Sequence, residues 1–183
     1  FRQDAVNTIW FGPGTTSKAF EGLKSGRQIQ FTDEDYEYVQ KKLRGIDKIS
    51  ARYYMWQNRV ISYQKEYGVF DLISVHPGFQ DIEAAVIKEG RFINDIDIKK
   101  RRKVAVIGEP VEKALFRNGK KAIGEYIKVN NIPFQVVGVF TDKNERDQTR
   151  VYLPVTTAQM ISGGANRIHN LTIISSLSAK ESE

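Results

Sequence analysis

Cysteine is absent from this 183-residue chain, which excludes disulfide bonds and thiol chemistry within it. Histidine occurs twice, at His76 and His169, without the i, i+4 spacing that places two imidazoles on one side of a zinc-binding helix. No stretch approaches the roughly 18 consecutive apolar residues that a membrane-spanning helix requires. The sequence therefore lacks the most readily recognised redox, zinc and membrane-spanning elements.

Signatures of nucleotide binding and hydrolysis are also missing. The glycines between Trp10 and Ser17 suggest a phosphate-binding loop, but they lack the G-x-x-x-x-G-K-[ST] spacing that cradles phosphates. Neither an EF-hand spacing of carboxylates nor a G-x-S-x-G nucleophile elbow occurs. An acid–base pair assembled only by folding stays open. We predict that the chain holds no catalytic, cofactor-binding or metal-binding residue, needs no cofactor and is not an enzyme.

The charge balance is basic, with a formal net charge of +6. Such a balance fits nucleic acid, anionic lipid or an acidic partner. The densest run, Lys99–Lys103, is interpreted as a solvated loop, with a membrane-surface or partner-docking patch as the alternative. Nucleic acid is not predicted as a partner, because the aromatic residues do not alternate with basic ones as a base-stacking platform would require.

Residues 32–75 read as one helix followed by strands. Thr32 is a good N-cap, and the three acidic residues 33–35 fit the first turn of a helix that ends at Gly45. Consecutive carboxylates in a helix point in different directions, so capping explains them better than metal binding. Strands are predicted over 46–57, 59–67 and 69–75, the last two joined by a turn at Gly68.

The stretch from Lys103 to Ile161 organises the rest of the chain. An apolar strand, Val104–Ile107, leads into a helix that starts at Pro110. A hairpin turns at Asn130-Asn131, since Asn tolerates positive φ, and its return strand, Phe134–Phe140, is apolar enough to be central. A polar joint precedes the strand Val151–Leu153 and a second proline-started helix. The glycine-rich residues 162–166 are predicted to be a flexible joint before a last strand.

The order of these pieces resembles the MacB-type periplasmic core domain of ABC-transporter permeases, a class that includes macrolide exporters and lipoprotein-release permeases. The motifs are a Gly-x-x-Ile hairpin ending in Val-Val-Gly-Val, then Val-Tyr-Leu-Pro-x-Thr-Thr, with Gly90-Arg91-Phe92 upstream. The resemblance extends from about Thr32 to Ile174. Because the chain begins at Phe1 and not at Met, we expect a processed or excised segment, which the resemblance would flank with membrane helices.

The resemblance implies an α+β fold with two lobes. A membrane-proximal N-terminal segment would occupy residues 1–26. A porter-like α/β lobe would combine 27–83 with 164–183, and a smaller β-rich lobe, 84–163, would interrupt it.

The resemblance also implies a function. The chain would be the extracytoplasmic domain of an ABC-transporter permease at the periplasmic face of the inner membrane. It would transmit ATP-driven motion of transmembrane helices to export or release a substrate. Implied partners are a second copy of the permease or a paralogue, an ABC ATPase subunit or domain, and a periplasmic adaptor protein. The alternatives are a passive ligand-binding or scaffolding module with an apolar peptide or lipid cleft, and a soluble enzyme.

The polar joint between Thr141 and Arg150 is the predicted site of partner contact. Connecting loops lie on the surface and frequently carry binding residues, whereas no motif supports this choice. The candidate contact residues are Asp142, Lys143, Asn144, Glu145, Arg146 and Asp147.

Overall fold

The computed structural model of the chain describes residues 8–19, 22–55, 59–117, 119–142 and 147–175. Within these ranges the chain forms five α-helices and eleven β-strands, so the mixed helix-and-sheet class is confirmed. The helices are α1 (Asp33–Lys42), α2 (Phe79–Ile82), α3 (Asp95–Lys99), α4 (Glu109–Leu115) and α5 (Val155–Ser162). The strands are β1 (Thr8–Phe11), β2 (Ile46–Tyr54), β3 (Val60–Tyr63), β4 (Glu66–Val69), β5 (Asp71–Val75), β6 (Val86–Gly90), β7 (Val104–Gly108), β8 (Tyr126–Val129), β9 (Ile132–Thr141), β10 (Arg150–Pro154) and β11 (Asn170–Ser175).

All eleven strands belong to one sheet, in the order β1-β11-β2-β5-β10-β7-β9-β8-β3-β4, with β6 paired to β9. The pairs β5–β10 and β7–β9 are parallel, and the other pairs are antiparallel. Strand β10, from the predicted insert, lies between β5 and β7, so the sheet runs through both predicted lobes. The lobe boundaries stay a prediction.

Apolar side chains cover both faces of the sheet. One face packs against α4 and α5, and under α1 it continues as a smaller cluster around Ile49, Leu171 and Ile173. The other face holds an aromatic cluster in which the ring centroid of Tyr152 lies 5.0 Å from that of Phe140. No helix in the described ranges has the length and apolar content to cross a bilayer.

Local signals correctly predicted several ends of elements. Thr32 forms a capping box with Asp35, since each side chain accepts from the other residue's backbone N–H. Asn130 and Asn131 form the two-residue hairpin turn with φ angles of 51° and 62°. Pro154 precedes α5 as predicted. In each case the signal and its effect lie within a few residues of each other.

The predicted turn at Gly68 is wrong. The chain reverses at Gln64, whose φ is 51°, so β3 and β4 form a hairpin, and β5 begins two residues after β4 ends. Gly68 lies inside β4 opposite Ile61. A Cβ atom at Gly68 would lie 2.6 Å from the ring of Phe70, so glycine here makes room for an aromatic side chain.

Two further expectations differ from the structure. No strand is predicted within the N-terminal segment 1–26, but Thr8–Phe11 forms β1, with Ile9 packed on one side of the sheet and Trp10 on the other. The glycines predicted to be a flexible joint have defined local roles. Gly163 ends α5 with a left-handed φ of 67°, and a Cβ atom at Gly164 would lie 1.9 Å from the Tyr53 hydroxyl oxygen.

Both histidines complete the hydrogen bonding of β2. Nδ1 of His76 accepts a hydrogen bond from the Ala51 N–H at 3.1 Å. Ala51 is next to Arg52, the residue at which the pairing of β2 with β5 ends. Nδ1 of His169 accepts from the Tyr54 N–H at 3.1 Å. The ring of His76 also stacks on Tyr36 with centroids 3.8 Å apart, and burial lowers its pKa to about 3.

We predict that His76 makes the chain less stable in acid. Between about pH 6.5 and pH 3 an unfolded chain binds a proton at this residue and the folded chain does not. The free energy of unfolding should therefore fall as the pH falls through this window, by up to about 1.4 kcal/mol per pH unit from this residue. His76→Asn, which keeps an acceptor and cannot titrate, should have a shallower pH dependence in urea unfolding from pH 7 to pH 4. Equal slopes for the two proteins would contradict the assignment.

Candidate interaction surface

The ends of the predicted contact loop are held on the domain. Of its residues, Asp142 and Asp147 are described, and Lys143, Asn144, Glu145 and Arg146 lie outside the described residues. The Gln148 side-chain amide donates to the Asp142 carbonyl oxygen at 2.5 Å. The Gln148 carbonyl oxygen approaches Gly108 so closely that a Cβ atom there would lie 1.6 Å from it. The two described loop ends are thus fastened together beside the junction of β7 and α4.

A charged network starts at the loop. Asp147 pairs with Arg150, the first residue of β10. Arg150 Nη1 lies 3.2 Å from Glu83 Oε2, and Glu83 Oε1 lies 2.7 Å from Arg52 Nη2. The four side chains are between 11% and 18% exposed, so water reaches them only in part. Two guanidinium groups alternate with two carboxylates, and the network is electrically neutral.

Arg150 is held in its charged form by its neighbours. Burial acts to lower its pKa, but the Tyr152 oxygen and the carboxylates of Glu83 and Asp147 outweigh burial and raise the pKa above its ordinary value. The network therefore stays ionised at any pH at which its carboxylates are deprotonated.

The other end of the network is aromatic. The Arg52 guanidinium carbon lies 4.2 Å from the ring centroid of Trp10 and 4.4 Å from that of Phe79. Both contacts are cation–π interactions, which attract the guanidinium group to the faces of the two aromatic rings. Because Trp10 belongs to β1, side-chain contacts run without interruption from the loop end at Asp147 to the first described strand.

Strand β1 starts where β11 ends. Thr8 pairs with Ile174, and the next residue, Ser175, pairs with Ile46 at the start of β2. The Ser175 hydroxyl donates to the Gly45 carbonyl oxygen at 3.2 Å. We name the surface formed by Thr8, Ser175 and the α1–β2 turn, residues 42–45, the strand-end pole.

An open groove of about 730 Å³ lies beside α4 and β4. Its basic side chains are neutralised by neighbouring carboxylates, at distances between 2.9 and 3.3 Å. The pairs are Lys113–Glu109, Arg117–Glu66, Lys120–Glu125 and Lys121–Glu89. The groove is thus a salt-bridged surface and differs from the apolar cleft that a passive peptide- or lipid-binding module would present. Across the described parts of the chain, no cluster of three or more His, Asp or Glu side chains is arranged to hold a metal ion.

All five residues of the basic run 99–103 are exposed. Lys99 is the last residue of α3, and the other four lie in the exposed segment between α3 and β7. Arg102 lies 3.7 Å from the fully buried carboxylate of Asp97, which Arg91 also binds at 2.6 Å. Arg91 belongs to the Gly-Arg-Phe motif, so that motif neutralises a buried acid. A membrane or partner role for residues 99–101 stays a prediction.

Sequence reasoning identified the loop and missed the network behind it. The network joins Arg52 to Glu83, which is 31 residues further along the chain, and Glu83 to Arg150, which is 67 residues further again. No sequence motif relates these three residues. The available signal was weak: Arg52 follows a small buried residue in a strand, and Arg150 opens a strand that is otherwise apolar.

The sequence matches a family model described as the MacB-like periplasmic core domain over residues 1–182. The macrolide export ATP-binding/permease protein MacB of Bdellovibrio bacteriovorus is 30% identical over 154 residues, which are 82% of this chain and 23% of that protein. The pyoverdine export ATP-binding/permease protein PvdT of Pseudomonas entomophila is 33% identical over 79 residues, or 40% of this chain and 12% of that protein. The chain therefore spans about a quarter or less of the length of these relatives.

Two solved structures share the fold. The periplasmic region of MacB from Actinobacillus actinomycetemcomitans superposes with a TM-score of 0.77 at 21% identity, covering 98% of this chain and 80% of that one. The extracellular domain of the noncanonic ABC-type transporter YknZ from Gram-positive bacteria gives a TM-score of 0.69 at 21% identity, covering 83% of this chain and 76% of that one. The family model spans nearly the whole sequence, and this chain belongs to the MacB-like periplasmic core domain family.

Proposed function

We propose that this chain is the extracytoplasmic domain of an ABC-transporter permease at the periplasmic face of the inner membrane. In this role it transmits ATP-driven motion of transmembrane helices, so that a substrate is exported or released. The family match and the similarity to export ATP-binding/permease proteins support the proposal. The chain itself performs no reaction, and its partners are a second copy or a paralogous permease and an ABC ATPase subunit or domain.

The observation that carries the proposal is the antiparallel pairing of β1 with β11. It brings the start of the first described strand and the end of the last one to the strand-end pole. A domain moved by two membrane segments needs both attachments at one side, since attachments at opposite ends could not share one membrane surface. Strand β11 also pairs with β2 over six residues, so displacement at the pole acts on a continuous sheet.

The charged network supplies a route from the pole side of the domain to the contact loop. Its contacts begin at Trp10 in β1 and end at Asp147. We infer that residues 142–147 dock a periplasmic adaptor protein and that the network keeps the loop base in register with the sheet. The groove does not favour the passive-module alternative, because paired charges line it.

Motion of the domain is testable by distance measurement. The chain has no cysteine, so Tyr67→Cys, at a side chain that is 78% exposed, gives one defined spin-label site per copy of the domain. In a homodimeric full-length permease without other accessible cysteines, we expect the label-to-label distance distribution to shift when vanadate traps the ATPase. A permease unable to bind nucleotide is the control. The same distribution in the free and trapped states would favour a passive module.

The contact loop is testable by replacement. We expect Ser-Gly-Ser-Gly in place of residues 143–146 to weaken capture of the co-expressed adaptor by at least about tenfold, the scale of losing one interface hot spot. The described anchors Asp142 and Asp147 stay in place. In the matched control, Ser-Gly-Ser-Gly replaces residues 23–26, which form an exposed turn. This turn already ends in glycine, as the replacement does. Equal adaptor capture by the two variants would remove the loop from the interface.

Loss of the central carboxylate tests the network. Glu83→Gln leaves Arg52 and Arg150 partly buried beside a neutral side chain, which should lower the free energy of unfolding by roughly 2 kcal/mol. Amide hydrogen exchange should increase both at residues 8–11 and at 147–150, because the network joins these distant segments. The control, Glu89→Gln, breaks an exposed pair and should change stability by less than about 0.5 kcal/mol. Faster exchange confined to the neighbourhood of Glu83 would show that the network does not link the two segments.

A further inference from the structure

The α1–β2 turn is part of the strand-end pole. Helix α1 ends at Lys42, Leu43 is the C-cap with an extended backbone, and Gly45 takes a left-handed φ of 78° before β2 begins. The Ser175–Gly45 hydrogen bond ties this turn to the end of β11. A surface that contacts the pole would therefore also contact residues 42–44.

The turn carries positive charge without local compensation. Lys41 pairs with Glu37 at 2.8 Å, and Lys48 pairs with Asp81 at 2.9 Å. Lys42 and Arg44 are exposed and form no ion pair with any residue that the structure describes. Asp47, also exposed, is the nearest carboxylate along the chain outside those pairs. The turn thus presents two cations against a single acid.

An apolar side chain lies between the two cations. Tyr36 and Val39 of α1 pack on the sheet, and Leu43 continues their spacing along the helix. Leu43 nevertheless is 51% exposed, because it lies past the end of the packed helix. Attraction to the helix dipole accounts for cations in the last turn of α1. It does not account for an exposed leucine, or for Arg44 beyond the C-cap.

We propose that Lys42, Leu43 and Arg44 contact the headgroup layer of anionic phospholipid, with the leucine side chain inserted between headgroups. Cations flanking an apolar side chain are the composition that binds an anionic membrane surface. Two cations should favour binding to an anionic surface over binding to a neutral one by roughly 30-fold. The inference rests on the proposed function, which turns the strand-end pole toward the membrane.

The test uses the full-length permease in nanodiscs of phosphatidylglycerol or of phosphatidylcholine. A nitroxide at Leu43→Cys reports collisions with oxygen, which concentrates in lipid, and with a water-soluble nickel chelate. We expect the oxygen-to-nickel collision ratio to be about twofold or more higher in phosphatidylglycerol, and Lys42→Gln with Arg44→Gln to abolish the difference. The matched control is Tyr38→Cys, 62% exposed on the same helix, whose ratio should not depend on the lipid. Equal ratios for Leu43→Cys in the two lipids would overturn the proposal.

A second measurement separates failure of this inference from failure of the proposed function. A fluorophore at Asp47→Cys, at the start of β2, should transfer energy to acceptor-labelled lipids more efficiently than one at Tyr67→Cys. Efficient transfer from position 47 combined with a lipid-independent ratio at position 43 would overturn the lipid contact alone. Transfer from position 47 no greater than from position 67 would overturn the orientation of the pole, and with it both proposals.

Discussion

The guanidinium group of Arg52 joins parts of the chain that lie far apart in sequence. It stacks between Trp10 of β1 and Phe79 of α2 and binds Glu83, which in turn binds Arg150 at the start of β10. A guanidinium that is 12% exposed is stable only with its carboxylate partner and aromatic neighbours in place. Arg52 therefore joins β1 to α2 directly, and Glu83 extends the connection to β10.

The same contacts connect the two predicted lobes, since Arg52 and Glu83 lie in the first and Arg150 lies in the second. Strand β10 pairs with β5 in parallel and with β7 in antiparallel fashion, and its residues 151–154 are buried. The network holds the partly buried first residue of this strand, Arg150, while backbone pairing holds the rest of the strand. Backbone pairing and the Arg52 network thus both connect the β1–β11 pair to β10.

Several features that depend on residues close together in the sequence were predicted correctly, and features such as β1 and the network that depend on distant residues were not. Thr32 and Asn130-Asn131 determine their capping box and turn within a few residues, so their roles were predictable. The turn at Gln64 was not, because Gly68 gives the stronger local turn signal and its actual role is to accommodate the ring of Phe70. Strand β1 is four residues long, and its residues pair with partners between 160 and 166 positions later, from Phe11↔Leu171 to Thr8↔Ile174. The network likewise depends on residues that are distant in the sequence.

Two charged regions of the domain differ in how firmly they can hold position. Around the groove, exposed pairs such as Lys121–Glu89 exchange partners with water at little cost, so they tolerate displacement. In the Arg52 network a displacement of a few ångströms would leave a partly buried charge unpaired, which is costly. Apolar contacts alone would permit sliding, since they have little directionality. The neutral, partly buried network around Arg52 therefore resists displacement more strongly than the exposed ion pairs around the groove do.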